Sequence, residues 1–259
     1  MPKHKGLFVV VDGLDGIGKG EIERAIIDYE QKLGLAVFDS ISFSRAHSKG
    51  LPELKDFWNP PETHYNLIMN AEPTYAGIGH TIREEITKKG NNYDYHSQIQ
   101  AYSLDRLVSM TRIVIPALQK DLTVFQSRCL AATLCYQLLK AEQESYDRDI
   151  IIKQILNEEG NKLQLEWAPD LLIIPTIKDI NELMNRLEKR KEYKKDDNSI
   201  FDNLNFQSKL AKYFEDPWLK KLFESHSTKV EYIDAGISEQ STREQALEIY
   251  KKFLGEWGM

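Results

Sequence analysis

The apolar, β-branched run Leu7–Val11 passes without a break into Asp12 and then Gly13-Leu14-Asp15-Gly16-Ile17-Gly18-Lys19. No other segment restricts the fold as strongly. An uninterrupted apolar run bounded by Asp-Gly reads as a strand buried on both faces. From Glu21 the period changes. Ile22, Ala25, Ile26, Tyr29 and Leu33 fall at helical spacing, and Gly34 is placed to cap that helix. Leu35–Ile41 is the predicted second strand. Strand, glycine-rich turn, helix and strand make a βαβ unit, which implies a mainly parallel sheet.

The loop fits G-x-x-x-x-G-K in the structural context that this pattern requires. Glycines let the backbone turn its N–H groups inward around phosphate oxygens, and the following helix terminus adds positive potential. Lys19 is placed to reach the terminal phosphates. The candidate ATP-binding residues are therefore Gly13, Asp15, Gly16, Ile17, Gly18, Lys19, Gly20 and Glu21. The pattern is incomplete, because a hydroxyl normally follows the lysine and holds Mg²⁺. Asp12, at the strand end, is either a metal ligand or a carboxylate that caps the loop, so no metal ligand is assigned.

Leu122–Phe125, Leu171–Ile174 and Val230–Ile233 are further short apolar runs, predicted as core strands. Helices are predicted at Ile78–Ile86, at Tyr95–Gln119 with a kink at Pro116, and from about Leu130 to Glu144. Others are marked by Ile180, Leu183 and Leu187, by Leu204, Leu210 and Phe214, and by Ala246, Ile249, Tyr250 and Phe253. Residues 43–66 are rich in proline and polar groups and read as an excursion over the surface; residues 145–168 are charged and helix-prone. The strand–helix alternation persists without an internal repeat or linker. The expectation is one α/β domain over 1–259, a three-layer sandwich with a central parallel sheet.

Composition narrows the function. There are 34 Lys+Arg against 40 Asp+Glu, a net charge of -6, which does not suit non-specific nucleic-acid binding. Small phosphorylated ligands need only a local cluster of donors, so they stay open. A hydrophobic fraction of 41% supplies a sizeable core and is too high for a disordered chain. No apolar run approaches the roughly 18 residues of a membrane span. Leu7–Val11 is too short for the core of a signal peptide. The expected location is cytoplasmic. Cys129 and Cys135 are too few for a disulfide framework or a zinc site.

Four further segments appear in a recognisable order. They are Glu72-Pro73-Thr74 with Ile78-Gly79 and Ile82-Arg83, then Tyr102-Ser103-Leu104-Asp105-Arg106, then Ser127-Arg128 with Leu134-Cys135-Tyr136-Gln137, and finally Pro169-Asp170-Leu171 followed by a basic stretch. Together with the loop they resemble the thymidylate kinase family of P-loop nucleoside monophosphate kinases. The resemblance implies the P-loop NTPase (nucleoside monophosphate kinase) fold, and transfer of the ATP γ-phosphate to dTMP, with Mg²⁺. It implies insertions near 43–66 and 145–168, a lid near 186–202, and a homodimer.

The resemblance also assigns residues. Asp15 would accept a hydrogen bond from the deoxyribose 3′-hydroxyl. Glu72, Tyr102, Arg106, Arg128, Ala132, Tyr136 and Gln137 would bound the acceptor nucleotide. Tyr102 and Arg106, four apart on a predicted helix, share a face, where a ring stacks on a pyrimidine and a guanidinium bonds its carbonyl or approaches the phosphate. Lys19, Arg128 and Arg190 are the catalytic candidates, with Arg186 and Arg190 four apart in the basic stretch.

Three positions depart from the family pattern. Gly20 replaces the hydroxyl, Ser127 (after Gln126) the aspartate before Arg128, and Ala71 an arginine before Glu-Pro. Arg45 or His47 is a candidate replacement for that phosphate contact. Two alternatives remain open: a kinase for another (deoxy)nucleoside or nucleoside monophosphate, and a non-catalytic nucleotide-binding protein.

Overall fold

The structure is a computed structural model that describes residues 6–46, 50–59, 62–91, 93–193 and 204–257. Strand β1 (Phe8–Val11) leads through the glycine loop into α1 (Lys19–Lys32), then β2 (Val37–Asp39) and α2 (Ser40–Ala46). Helix α3 (Leu54–Phe57) and the antiparallel pair β3 (Trp58–Asn59) and β4 (Thr63–His64) precede β5 (Leu67–Ala71). Helix α4 (Gly77–Thr81) continues as a π-helical turn over Ile82–Ile86. The long α5 (Tyr95–Ser109) passes through a second π turn, Met110–Val114, into α6 (Ile115–Leu118). Next come β6 (Thr123–Ser127), α7 (Leu130–Gln143), α8 (Arg148–Asn157), α9 (Glu159–Glu166) and β7 (Leu171–Thr176). The chain closes with α10 (Ile180–Tyr193), α11 (Leu204–Phe214), α12 (Pro217–Glu224), β8 (Lys229–Asp234) and α13 (Glu239–Trp257).

Six strands form one parallel sheet in the order β2-β5-β6-β1-β7-β8. Alternation along β1 explains the layers. Phe8 and Val10 face a core that includes Ile99 of α5 and Leu130 and Leu134 of α7. Leu7, Val9 and Val11 face Ile22 and Ile26 of α1 and Ala246, Tyr250 and Phe253 of α13. The three-layer α/β expectation therefore holds. Among the described residues, no helix is long and apolar enough to cross a membrane.

Several boundaries differ from expectation for identifiable reasons. The second strand ends at Asp39, whose Oδ1 accepts the N–H groups of Ile41 and Ser42, both at 2.9 Å, and so opens α2. Strand β5 was not predicted, because Asn70 interrupts its short apolar run. The 43–66 segment is no surface excursion where it is described: Phe43, Phe57 and Tyr65 pack around Phe38 at 5.7, 5.7 and 5.2 Å between ring centroids. The long helix adjusts through the π turn ahead of Pro116, which lacks an N–H and crowds the carbonyl four residues back. The helix-prone 145–168 segment forms α8 and α9. Helix α9 lies so close to α5 that a Cβ on Gly160 would sit 1.9 Å from the Ser103 carbonyl oxygen.

Parallel register sets where the site can form. Val11 pairs with Ser127, and Ala71 pairs with that same Ser127. Asp12, Arg128 and Glu72 therefore leave three adjacent strands at their carboxyl ends, where ligands collect in open α/β sheets.

Asp170 anchors the opposite end of β1. Its Oδ2 accepts the Phe8 N–H at 2.7 Å, and burial pushes its carboxyl up to about 7. The raised value means that Asp170 contributes stability below the ordinary carboxylate range, and that this contribution is lost as pH rises through about 7. Asp170→Asn keeps an acceptor and removes the titration. The melting temperature of the variant relative to wild type should climb between about pH 4 and pH 8. A difference independent of pH would contradict the assignment.

Candidate active site

The glycine loop starts at the end of β1 and delivers the chain into α1. Gly16 and Gly18 have φ of 73° and 108°, backbone that glycine adopts without the usual steric cost. Gly16 also lies under α10: a Cβ there would be 2.8 Å from Leu187 Cδ2 and 3.6 Å from Leu183 Cδ1. The basic helix thus covers the loop with an apolar face. Lys19 Nζ lies back over the loop, donating to the carbonyls of Gly13 at 3.0 Å and Leu14 at 2.6 Å, with Asp15 Oδ1 at 4.0 Å.

Asp12 is fully buried and takes the capping role. Its Oδ1 accepts the Gly13 N–H at 2.8 Å; its Oδ2 accepts those of Cys129 at 2.9 Å and Ala132 at 2.8 Å. One carboxylate therefore ties the loop to the first turn of α7, where a negative charge also meets the favourable end of the helix dipole. Glu21 pairs with Arg24 and, at 2.6 Å, with Arg243 of α13.

Arg128 is the residue that reaches across. It has a positive φ of 71°, a conformation that costs a non-glycine residue about 1–2 kcal/mol and that occurs where the surroundings enforce it. Its N–H donates to the Val11 carbonyl at 2.8 Å, and its guanidinium pairs with Asp15. Tyr136 donates its hydroxyl to the other oxygen of Asp15 at 3.0 Å and lies 5.4 Å, ring centroid to guanidinium, from Arg128. Burial works against the charged guanidinium, but the Asp15 carboxylate holds it well above its ordinary value. Tyr102 is half-buried nearby. Burial pushes its hydroxyl up to about 12, opposed by Arg128 and Arg83.

Arg106 corrects the reading made from helical spacing. It is 1% exposed and belongs to the core beneath the strand ends. Nε donates to Glu72 Oε2 at 2.9 Å, Nη2 lies 2.8 Å from that oxygen and donates to Thr133 Oγ1 at 3.0 Å, and Nη1 is bonded to Asn161 Oδ1. Every guanidinium nitrogen has a protein acceptor. Glu72 is equally enclosed, accepting from Gln126 at 3.1 Å and Gln164 at 3.3 Å on its other oxygen. Its burial raises its carboxyl to about 7 against the pull of Arg106. Tyr102 and Arg106 thus do not converge on one ligand surface. Gln137 is also buried: its amide donates to Gln98 at 3.2 Å, and its carbonyl oxygen has no hydrogen-bond partner among the described residues.

Arg45, the candidate replacement for a phosphate contact, and Arg83 of the Ile82-Arg83 motif lie beside the 72–75 turn. Arg83 donates to the Pro73 carbonyl at 3.1 Å and stacks 3.9 Å from the Tyr75 ring, while Arg45 stacks 4.0 Å from that same ring. Asp105 fixes this turn by accepting the Thr74 N–H at 2.7 Å and its hydroxyl at 2.6 Å. His47, Lys194 and Lys195 lie outside the described residues, as does most of the expected lid from 194 onward. Arg186 is turned away to the Ala235 carbonyl at 3.0 Å. Arg190 lies on α10, and the placement of its side chain is not among the described features. Asn161 and Gln164, from the 145–168 segment, carried no motif; polar residues on apolar faces were their signal.

A phosphate loop on the central strand of a parallel sheet, with an arginine from the neighbouring strand facing it, defines a P-loop nucleoside monophosphate kinase. The thymidylate kinase sequence profile matches residues 60–246, a span that begins beyond the loop itself. The chain belongs to the thymidylate kinase family. It is 24% identical to the thymidylate kinase of Ureaplasma parvum over 97% of this chain and 94% of that protein. It is 28% identical to that of Prochlorococcus marinus over 70% of this chain and 72% of that protein. Among solved structures, thymidylate kinase from Ehrlichia chaffeensis superposes with a TM-score of 0.57 at 16% identity, covering 95% of this chain and 98% of that one. The Candida albicans enzyme gives 0.58 at 18% identity, covering 95% and 92%.

The buried pair makes a direct prediction. Arg106→Met leaves the Glu72 carboxylate without its counter-ion and should cost about 3–5 kcal/mol in urea unfolding. Wild-type stability combined with lost dTMP affinity would instead return Arg106 to the ligand surface.

Proposed function

We propose that the protein transfers the γ-phosphoryl group of ATP to dTMP, giving ADP and dTDP. The observation that carries the reading is the facing of Arg128 and the glycine loop across the ends of β6 and β1. Phosphoryl transfer needs positioning and charge neutralisation more than covalent chemistry. The loop amides and Lys19 hold the donor phosphates, for which Lys19 exchanges its contacts with the Gly13 and Leu14 carbonyls for phosphate oxygens. Arg128 exchanges Asp15 for the acceptor phosphate. That releases Asp15 to accept from a sugar hydroxyl, while Tyr102 lies against the base. Arg45 and Arg83, stacked on Tyr75, extend the positive surface toward the acceptor side.

Mg²⁺ accompanies ATP in this family, and among the described residues the chain's own donors do not fit a direct protein site for it. Both Asp12 oxygens are occupied by backbone N–H groups. Position 20 offers no side chain, although a Cβ there would meet nothing within 4 Å. Glu21 is neutralised by two arginines. Among the described residues, no cluster of three His, Cys, Asp or Glu could hold a metal ion.

A coupled assay across dTMP, dCMP, dGMP and dAMP tests the reading. dTMP should turn over fastest, and Lys19→Ala should reduce kcat by about a hundredfold or more. Equal rates on the four nucleotides, or turnover that survives Lys19→Ala, would overturn it.

A further inference from the structure

Arg128 holds its left-handed backbone at a strand end where glycine would be at ease, so something must keep it there. Its N–H is fixed on Val11 at 2.8 Å. Its carbonyl oxygen is fixed by Gln126 Nε2 at 2.9 Å. Gln126 is fully buried, and all of its hydrogen-bonding groups point at defined partners. Its Oε1 accepts from Asn70 Nδ2 at 2.8 Å, and its amide also donates to Glu72 Oε1 at 3.1 Å. Flipping the amide would set its oxygen against the Arg128 carbonyl, which only accepts, and its NH₂ against the Asn70 NH₂, which only donates. The orientation is therefore unique. Asn70 is held in turn by Ser40 and Ser109, at 3.0 and 2.9 Å.

We propose that Gln126 is a positioning residue for phosphoryl transfer: its amide grips the Arg128 carbonyl and holds the left-handed backbone that aims the guanidinium over the phosphate loop. Gln126 touches no reacting atom, and its effect passes through Arg128. The proposal rests on the reading of Arg128 as an acceptor-phosphate contact.

Calorimetric dTMP affinity in a double-mutant cycle tests it, because binding is measurable where turnover is lost. Gln126→Met preserves volume and removes the amide. It should weaken dTMP binding by about tenfold, in proportion to the loss of a positioned charged contact. In an Arg128→Ala background, the same substitution should change affinity by less than about twofold. Gln126→Asn keeps an amide that is one methylene short. It substitutes for Gln126→Met if that variant does not fold, and it should show the same non-additive loss. Wild-type affinity in the folded Gln126 variant, or an equal loss with and without Arg128, overturns the proposal and leaves the function standing. Wild-type affinity in Arg128→Ala overturns the reading of Arg128 itself, and the proposal with it.

Discussion

Asp12 is a fully buried carboxylate whose two oxygens accept three backbone N–H groups. Hydrogen bonds replace the hydration that a carboxyl group loses on such burial. Those donors belong to two different parts of the chain, the glycine loop and the start of α7. Satisfying one carboxylate therefore joins the two walls of the site. Arg128 stands between those walls, one residue before Cys129, and it inherits its position from this tie.

Beneath Arg128 lies a continuous buried polar network. Asn70, Gln126, Glu72, Gln164, Arg106, Asn161 and Thr133 link β5, β6, α5, α7 and α9. Partly satisfied networks of this kind are costly, whereas satisfied ones fix a single arrangement. Gln164 completes the circuit by accepting the Leu130 N–H at 2.6 Å, at the start of the helix that Asp12 caps. Helix α9 of the 145–168 segment is thus part of the floor under the site. The net charge of -6 takes on a local meaning here. Arg106 is consumed in the core, and among the described residues Lys19, Arg128, Arg83 and Arg45 are cations that face the loop and the 72–75 turn.

The loop was legible in sequence because its determinants are contiguous: an apolar strand, three glycines, a lysine and a helical period. Arg128 was legible because a strand end is a fixed place in a parallel sheet. Arg106 was misread. Spacing four residues from Tyr102 gives a shared helix face but not what covers that face, and its partners Asn161 and Thr133 are 55 and 27 residues away in sequence. The same limit hid β5. Asn70 weakens the local apolar signal, yet its amide is satisfied by Ser109 and Gln126, 39 and 56 residues on. Local chemistry was readable and long-range satisfaction of buried polar groups was not.

The central claim is that Arg128 serves the ligand while Arg106 serves the fold. A crystal structure with dTMP and a non-hydrolysable ATP analogue tests it most directly. The account predicts the Arg128 guanidinium within about 3 Å of a phosphate oxygen, parted from Asp15, with Arg106 still on Glu72. Arg106 turned out to the nucleotide, or Arg128 still closed on Asp15 with both ligands bound, would contradict it.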